Sequence, residues 1–549
     1  MSRKILTLMS ILAVALGGCA LNPLKLLPQK DKKDAPKEAK LPPRPPRKED
    51  DPAFWRADGQ AILAQVQKPA DGRTHARNVI LFIGEGMGVS TVTAARILAG
   101  QSGEPPKGQK GPPNGEESEL AFERFPSTAL AKTYNTDLQT PDSAGAMSAI
   151  LTGVKTRGSS LALDPVPSKG QCAEAANHET ATLLEQAKAV GLSTGLVTTA
   201  RVTYPAAAAA YAHLSDPDWE VDAVIPDTPT RQGCRDIARQ LADQRGLDIV
   251  LGGGRLAFLP NTKSDPYDAG RRGVRRGGED LIAVWLKNNN GRYVTNASQL
   301  KNVNWKVDKM PILGLFAPDH MHYEAERASS GADEPSLTEM TMAAIKALQR
   351  NPRGYVLVVD AAGIGRAHRD GNAYNALNET RELSNAVQAA ADLVGSFDTL
   401  ILVTAEHGDT LTIGGPAKRG NPILSTVAGV DGEQVDAKGR PYTTLVYGAG
   451  PVRPPQSGPL TPEVAEAPDY RQAAGVTLVE DAGGGEDVPV YARGPGSQWV
   501  RGALDQHALY WVMRAAVLGQ PPTPAKKSFL PKVKVPNLNP FAKKKDEGE

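Results

Sequence analysis

The 549-residue chain holds few of the residues that stabilise small secreted folds: three cysteines and eight histidines in the whole sequence. Three cysteines cannot build a disulfide scaffold, so a chain of this length must fold around a hydrophobic core. Charge of one sign is also lacking. Lys and Arg number 63 against 61 Asp and Glu, a net +2, so the bulk balance gives no argument for a nucleic-acid partner. Internal repeats are absent, which sets aside solenoid and propeller arrays. The apolar run Ile5–Leu16 is too short to span a bilayer comfortably.

That run is better read as part of a targeting segment. Arg3 and Lys4 precede it, and Leu16-Gly17-Gly18-Cys19 follows it in the manner of a bacterial lipobox. In that reading residues 1–19 are a lipoprotein signal, Cys19 carries the lipid, and the protein is held at the cell envelope. Ala20 in place of aspartate favours the outer membrane. The competing reading is an ordinary signal peptide with a chance cysteine. Residues 20–74 are rich in Lys and Pro through residue 52 and nearly free of large apolar side chains after Leu27, which suits a disordered tether. Residues 520–549 form a similar tail, with seven Lys against Asp546, Glu547 and Glu549. It is either a solvated tail or a contact for anionic lipid or cell-wall polymer.

Residues 75–519 carry the fold. Short apolar runs at Val79–Ile83, Gly195–Thr199, Asp248–Leu251, Tyr355–Val359 and Leu400–Thr404 alternate with amphipathic stretches at Thr338–Arg350, Ala376–Val394 and Gln506–Leu518. This pattern predicts an α/β three-layer sandwich: a large, mostly parallel sheet with helices on both faces. Ligand sites in such folds lie at the carboxyl ends of strands. Glu85, Asp360 and the pair Glu406-His407 fall at three such ends. Asp142-Ser143-Ala144-Gly145 opens a helix, where the positive dipole end favours an anion. Ser143 is there either as a nucleophile for a phosphoryl group or as an N-cap only. Cys172 and Cys234 form an even pair once Cys19 is set aside. A disulfide between them closes about 60 residues and contributes ~4 kcal/mol in the chain-entropy model; two buried free thiols are the alternative.

Taken together, RNVILFIGEGMG (77–88), PDSAGAMSAILTGVKT (141–156), GLVTTARV, AAYAH, LGGGR, LTEMT, RNPRGY, NPIL, DYRQAAGV and GGGEDVPVYARGP resemble the alkaline phosphatase family, the animal type in particular, in the same order along the chain. The resemblance runs from about Arg77 to Leu518. It implies that Ser143 is the nucleophile, that Cys172 and Cys234 are bonded, that a small crown-like lobe is inserted near residues 420–480, and that the protein is a homodimer. It also implies two zinc ions, one magnesium ion and an arginine that holds two phosphate oxygens.

This chain departs from that ligand set. Glu85 stands where the family has a bridging aspartate, and Asp360 where it has a glutamate on magnesium. Tyr204 and Ala206 stand at the histidine and threonine around magnesium, and Pro217 at the phosphate-binding arginine. Gly365, Arg369 and Gly483 replace an aspartate and two histidines of one zinc site. A zinc site needs three or four protein donors, so none is expected there. Glu85, Asp360, Glu406 and His407, with Ser143, are the remaining donors, enough for at most one divalent metal, magnesium or zinc. The competing reading makes the carboxylates relics, hydrogen-bonded or paired with Arg366 or Arg369. His368 aligns beside a standard ligand rather than on one. His320 and His322, in APDHMHYEAER, are read as a surface loop, and His213 as structural.

Three functions compete on these residues. The first is an envelope-anchored homologue with lost or strongly altered phosphomonoesterase activity. The second is a working phosphate- or sulfate-monoester hydrolase with a rebuilt site, in which Arg369 and Arg366 hold the anionic substrate. The third is a non-enzymatic envelope protein that binds a partner.

Overall fold

In the computed structural model the described residues are 72–103, 113–227, 234–453, 458–479 and 483–519. The lipobox Cys19, the tether up to residue 71 and the tail from residue 520 lie outside them.

The frame is a ten-stranded sheet. Its strands in chain order are β1 (Asn78–Gly84), β2 (Ser127–Lys132), β3 (Ser193–Arg201), β4 (Ile249–Gly253), β5 (Arg292–Val294), β6 (Ile312–Leu315), β7 (Tyr355–Ala361) and β8 (Thr399–Thr404). After a small lobe come β12 (Val488–Arg493) and β13 (Gly502–Asp505). Across the sheet the order is β13-β2-β12-β8-β1-β7-β3-β4-β6-β5. All neighbours are parallel except β12, which runs antiparallel to both β8 and β2.

The central strands are buried from end to end: NVILFIG in β1, YVLVVDA in β7 and TLILVT in β8. A strand covered on both faces has no solvent side, so its sequence runs apolar instead of alternating. STALAK in β2, near the edge, alternates buried and exposed. Helices α1 (Val89–Gln101), α3 (Leu337–Leu348), α4 (Gly363–Arg369) and α5 (Ala373–Val394) form one connected layer. Helices α2 (Ser143–Thr152) and α6 (Ala508–Leu518) pack together in the other. This is the predicted three-layer α/β sandwich. A smaller three-stranded sheet of β9 (Leu411–Ile413), β10 (Leu445–Pro451) and β11 (Ala474–Leu478) overlaps the segment expected to form the inserted lobe. Cys172 and Cys234 are joined in a disulfide.

Register fixes where the chemistry gathers. Ile83 at the end of β1 pairs with Asp360 of β7 and with Thr404 of β8. Thr198 of β3 pairs with Asp360 from the other side. Glu85 and Glu406 therefore leave adjacent parallel strands at the same end of the sheet, beside Asp360.

Candidate active site

The nucleophile candidate is placed by its helix. Asp142 is the N-cap of α2, and its Oδ1 accepts from the Gly145 N–H at 3.0 Å. Its Oδ2 accepts from the Ser159 N–H at 2.6 Å. Ser143 is thus the first helical residue, and its hydroxyl is released from the capping role. Residues 144–152 are all buried, so the helix cannot shift without disturbing the core. It ends at Gly153, where φ is +76° and an ideal Cβ would lie 2.3 Å from Tyr510 Cδ1, a position only glycine fills without strain.

Ser143 Oγ lies 3.0 Å from His407 Nε2 and 3.2 Å from Glu85 Oε1. His407 Nδ1 is 2.8 Å from the Gly408 carbonyl, which can only accept. Nδ1 therefore carries the ring proton, and Nε2 offers its lone pair to Ser143. Glu85 is fully buried and its Oε1 is a meeting point. It accepts from Arg369 Nη1 at 2.8 Å and from the Tyr204 hydroxyl at 3.2 Å, besides its contact with Ser143. The reading that a carboxylate pairs with Arg369 holds for Glu85. Arg366 turns elsewhere: its Nη1 donates to the Met321 carbonyl at 2.9 Å, and its guanidinium covers the Tyr323 ring.

The extra methylene of Glu85 has a structural counterpart. An ideal Cβ on Gly365 would come within 2.7 Å of Glu85 Cγ and 2.9 Å of Cδ. A glutamate at 85 and a side chain at 365 thus exclude each other in this backbone. Gly483 borders the same pocket, where a Cβ would lie 3.7 Å from the His407 ring. Gly365, Arg369 and Gly483 supply no carboxylate or imidazole to a cation.

The other side of the pocket fits one. Glu85, Glu406 and His407 each offer a ligand atom, all within 4.8 Å of one another. Both oxygens of Glu406, Glu85 Oε2 and Asp360 Oδ1 are buried without a hydrogen-bond partner. Orphaned buried carboxylate oxygens are what a divalent cation satisfies. Asp360 lies just outside the trio, its Oδ2 held by Thr198 Oγ1 at 2.8 Å. Burial first, and Glu85 next, push the Asp360 carboxyl well above the usual range. Burial, Glu85 and Asp360 do the same to Glu406. Burial opposes the charge on Arg369, but Glu85, Tyr204 and Asp409 more than offset it, so the guanidinium stays ionised.

Comparison with known proteins now settles the ancestry. The family model described as alkaline phosphatase matches residues 76–518. The chain belongs to the alkaline phosphatase family. It is 40% identical over 489 residues to the tissue-nonspecific alkaline phosphatase of Gallus gallus, covering 86% of this chain and 91% of that protein. The Homo sapiens isozyme is 38% identical, with 86% and 90% covered. Among solved structures, the Thermus thermophilus alkaline phosphatase superposes with a TM-score of 0.59 at 21% identity, covering 84% of this chain and 95% of that one. The enzyme of the Antarctic bacterium TAB5 does so at 0.53 and 18%, covering 81% and 99%, and a mutant of it has magnesium bound.

Within this alkaline phosphatase fold two sequence readings change. His320 does lie in the irregular segment after β6 and is half-buried beside the exposed Asp319, but its ring is turned inward. Its Nε2 is 2.6 Å from Arg201 Nη1, its ring meets Tyr204 edge-on at 5.3 Å, and its Nδ1 is buried. The strand β6 is only four residues long and leaves no distinct run in the sequence, and His320 lies beyond its carboxyl end. Tyr204, read only as the loss of a ligand, is a donor to Glu85. His322 does stay partly exposed, with Nδ1 on Glu334 at 2.9 Å. His368 is buried between Thr91 Oγ1 at 3.1 Å and the Tyr447 hydroxyl at 2.8 Å.

Proposed function

We propose that this chain is an alkaline phosphatase homologue held at the cell envelope whose phosphomonoesterase turnover is lost or strongly reduced. The observation that carries this is the Arg369–Glu85 ion pair beside Ser143, at a position flanked by Gly365 and Gly483. A guanidinium fixed to a buried carboxylate occupies the neighbourhood where the family resemblance calls for a zinc ligand. It cannot accept a leaving oxygen's electron pair as a metal does. Loss of a single preorganised charge commonly costs on the order of 10²–10³ in rate, and here both a cation site and the arginine clamp of the family resemblance are without their residues, Pro217 standing at the clamp.

Glu85, Glu406 and His407 would hold one divalent ion, with Ser143 alongside; such an ion would lower the pKa of the serine hydroxyl. Everything else comes from the chain. Asp142 holds the helix start, Arg369 holds Glu85 in place, and the Gly408 carbonyl fixes the His407 tautomer. Envelope anchoring rests on the Leu16–Cys19 motif alone, and dimerisation on the family resemblance alone.

The test is hydrolysis of a generic aryl phosphate with added Zn²⁺ and Mg²⁺. The expected rate is close to that of the Ser143→Ala variant. Turnover at rates typical of enzymes, abolished in Ser143→Ala, would sink this reading.

One observation favours a second reading, a slow hydrolase. Ser143 Oγ and His407 Nε2 are at hydrogen-bond distance with the ring in the accepting tautomer, which suits proton transfer from the serine. Acid quenching after incubation with aryl phosphate would then leave a phosphate mass increment on the peptide bearing Ser143. No increment at any incubation time rules the slow hydrolase out.

A further inference from the structure

Tyr204 sits among basic groups. His320 packs edge-on against its ring, and the guanidinium carbons of Arg369 and Arg201 each lie 5.6 Å from the ring centre. Arg201 is fully engaged. It grips Glu220 with two bonds of 2.9 and 2.7 Å, reaches Asp319 at 2.8 Å, and places Nη1 against His320 Nε2. A guanidinium only donates, so His320 Nε2 accepts and the ring proton is on Nδ1. That Nδ1–H is buried and meets no acceptor in the protein. Arg369 repeats the pattern: Nη1 is bonded to Glu85, while Nη2 is buried with no hydrogen-bond partner. Buried donors are almost always satisfied, so two orphans around one ring, next to the nucleophile, call for an external acceptor.

We propose that His320 Nδ1–H and Arg369 Nη2 form a two-donor seat for the oxygens of a phosphoryl group. The seat would bind a phosphoryl group through residues from different elements, without the fork of two parallel bonds that one arginine gives. Arg369 comes from the end of α4, and His320 from the segment after β6. A planar guanidinium and a neutral imidazole suit a tetrahedral oxyanion, the first through charge and the second through a directed bond. Burial, and then Arg366 and Arg201, hold the His320 pKa down to about 2, so the ring stays neutral and its donor remains in place at ordinary pH.

This inference rests on the proposed function, in that it assigns the ligand of the same pocket, but it is tested separately because it concerns binding and not turnover. The experiment is isothermal titration of the full chain with inorganic phosphate and, in a second arm, with phenyl phosphate. Wild type should bind at least one of the two saturably. The tighter of the two identifies the source as free anion or ester. Arg369→Gln should weaken binding about tenfold or more, and His320→Phe about fivefold, the value of a lost directed hydrogen bond. His320→Asn, which keeps a donor, should recover part of the loss. If His320→Phe does not fold, wild type labelled with ¹⁵N-histidine answers instead: the His320 Nδ1 resonance should shift on phosphate addition. No binding by wild type, equal binding by His320→Phe, or an unmoved Nδ1 resonance overturns the seat. Absence of binding would leave the reading of lost turnover standing. Fast turnover would remove that reading and leave the seat to these same variants.

Discussion

Gly365→Ala is the sharpest test of how closely this pocket is packed around Glu85. The new Cβ would fall 2.7 Å from Glu85 Cγ, 2.9 Å from Cδ and 3.1 Å from Oε1. Glu85 cannot move aside freely. It is fully buried, tied to Arg369 at 2.8 Å and in contact with Tyr204 and Ser143. Overpacking of a closed site costs about 1–3 kcal/mol, so Gly365→Ala should lower the urea midpoint with little change in the slope. Glu85→Asp withdraws the methylene that causes the collision. Alone it also destabilises, because it loosens the pair with Arg369. Combined with Gly365→Ala it should recover part of the loss, with a coupling of at least about 1 kcal/mol in a double-mutant cycle. Urea unfolding of the four proteins, followed by circular dichroism, reads the cycle. Additivity within ~0.5 kcal/mol would refute the argument that a side chain at 365 and the glutamate at 85 exclude each other.

Two further outcomes follow from the same geometry. Glu379 is buried, accepts the Glu324 N–H at 2.5 Å and has its pKa pushed up by burial to about 7 from an ordinary 4.5. Its folded-state pKa is raised, so the stability it contributes is full below pH 4.5 and is lost as pH rises towards 7. At pH 8 the buried carboxylate costs roughly 3–4 kcal/mol, from a rise of about 2.5 at ~1.4 kcal/mol for each tenfold. Glu379→Gln should therefore stabilise the protein at pH 8 and hardly change it at pH 4.5; equal effects at both pH values would contradict the assignment. Gly153→Ala should destabilise by about 1–3 kcal/mol, because it combines a positive φ with a collision against Tyr510. An unchanged melting temperature in Gly153→Ala would show that the end of α2 is not held as described.

The parts of the fold that were legible in the sequence are those buried on both faces. NVILFIG, YVLVVDA and TLILVT are near-continuous apolar runs, and their carboxyl ends led to Glu85, Asp360 and Glu406. Strands at and near the sheet edges left no such trace: STALAK is half exposed and GALD is exposed or partly buried along its length. The four-residue β6 was missed for its brevity, and with it the position of His320. Side-chain roles set by long-range packing were equally hidden. Nothing local marks Tyr204 as a donor to Glu85, 119 residues away, or Asp142 rather than Ser143 as the cap of α2. The exchange between Glu85 and Gly365 was visible only as two separate departures from a family pattern. Their physical link is a distance.

The central claim is that the donors Glu85, Glu406 and His407 would hold one divalent cation and that, among the described residues, the pocket offers no second set. The most direct measurement is the metal content of purified full-length protein by mass spectrometry, after dialysis against Zn²⁺ and Mg²⁺ and removal of loosely held ions. The account predicts no more than one tightly bound divalent ion per chain, lost in Glu406→Ala with His407→Ala. Two or more bound ions per chain, or retention of the ion in that double variant, would contradict it.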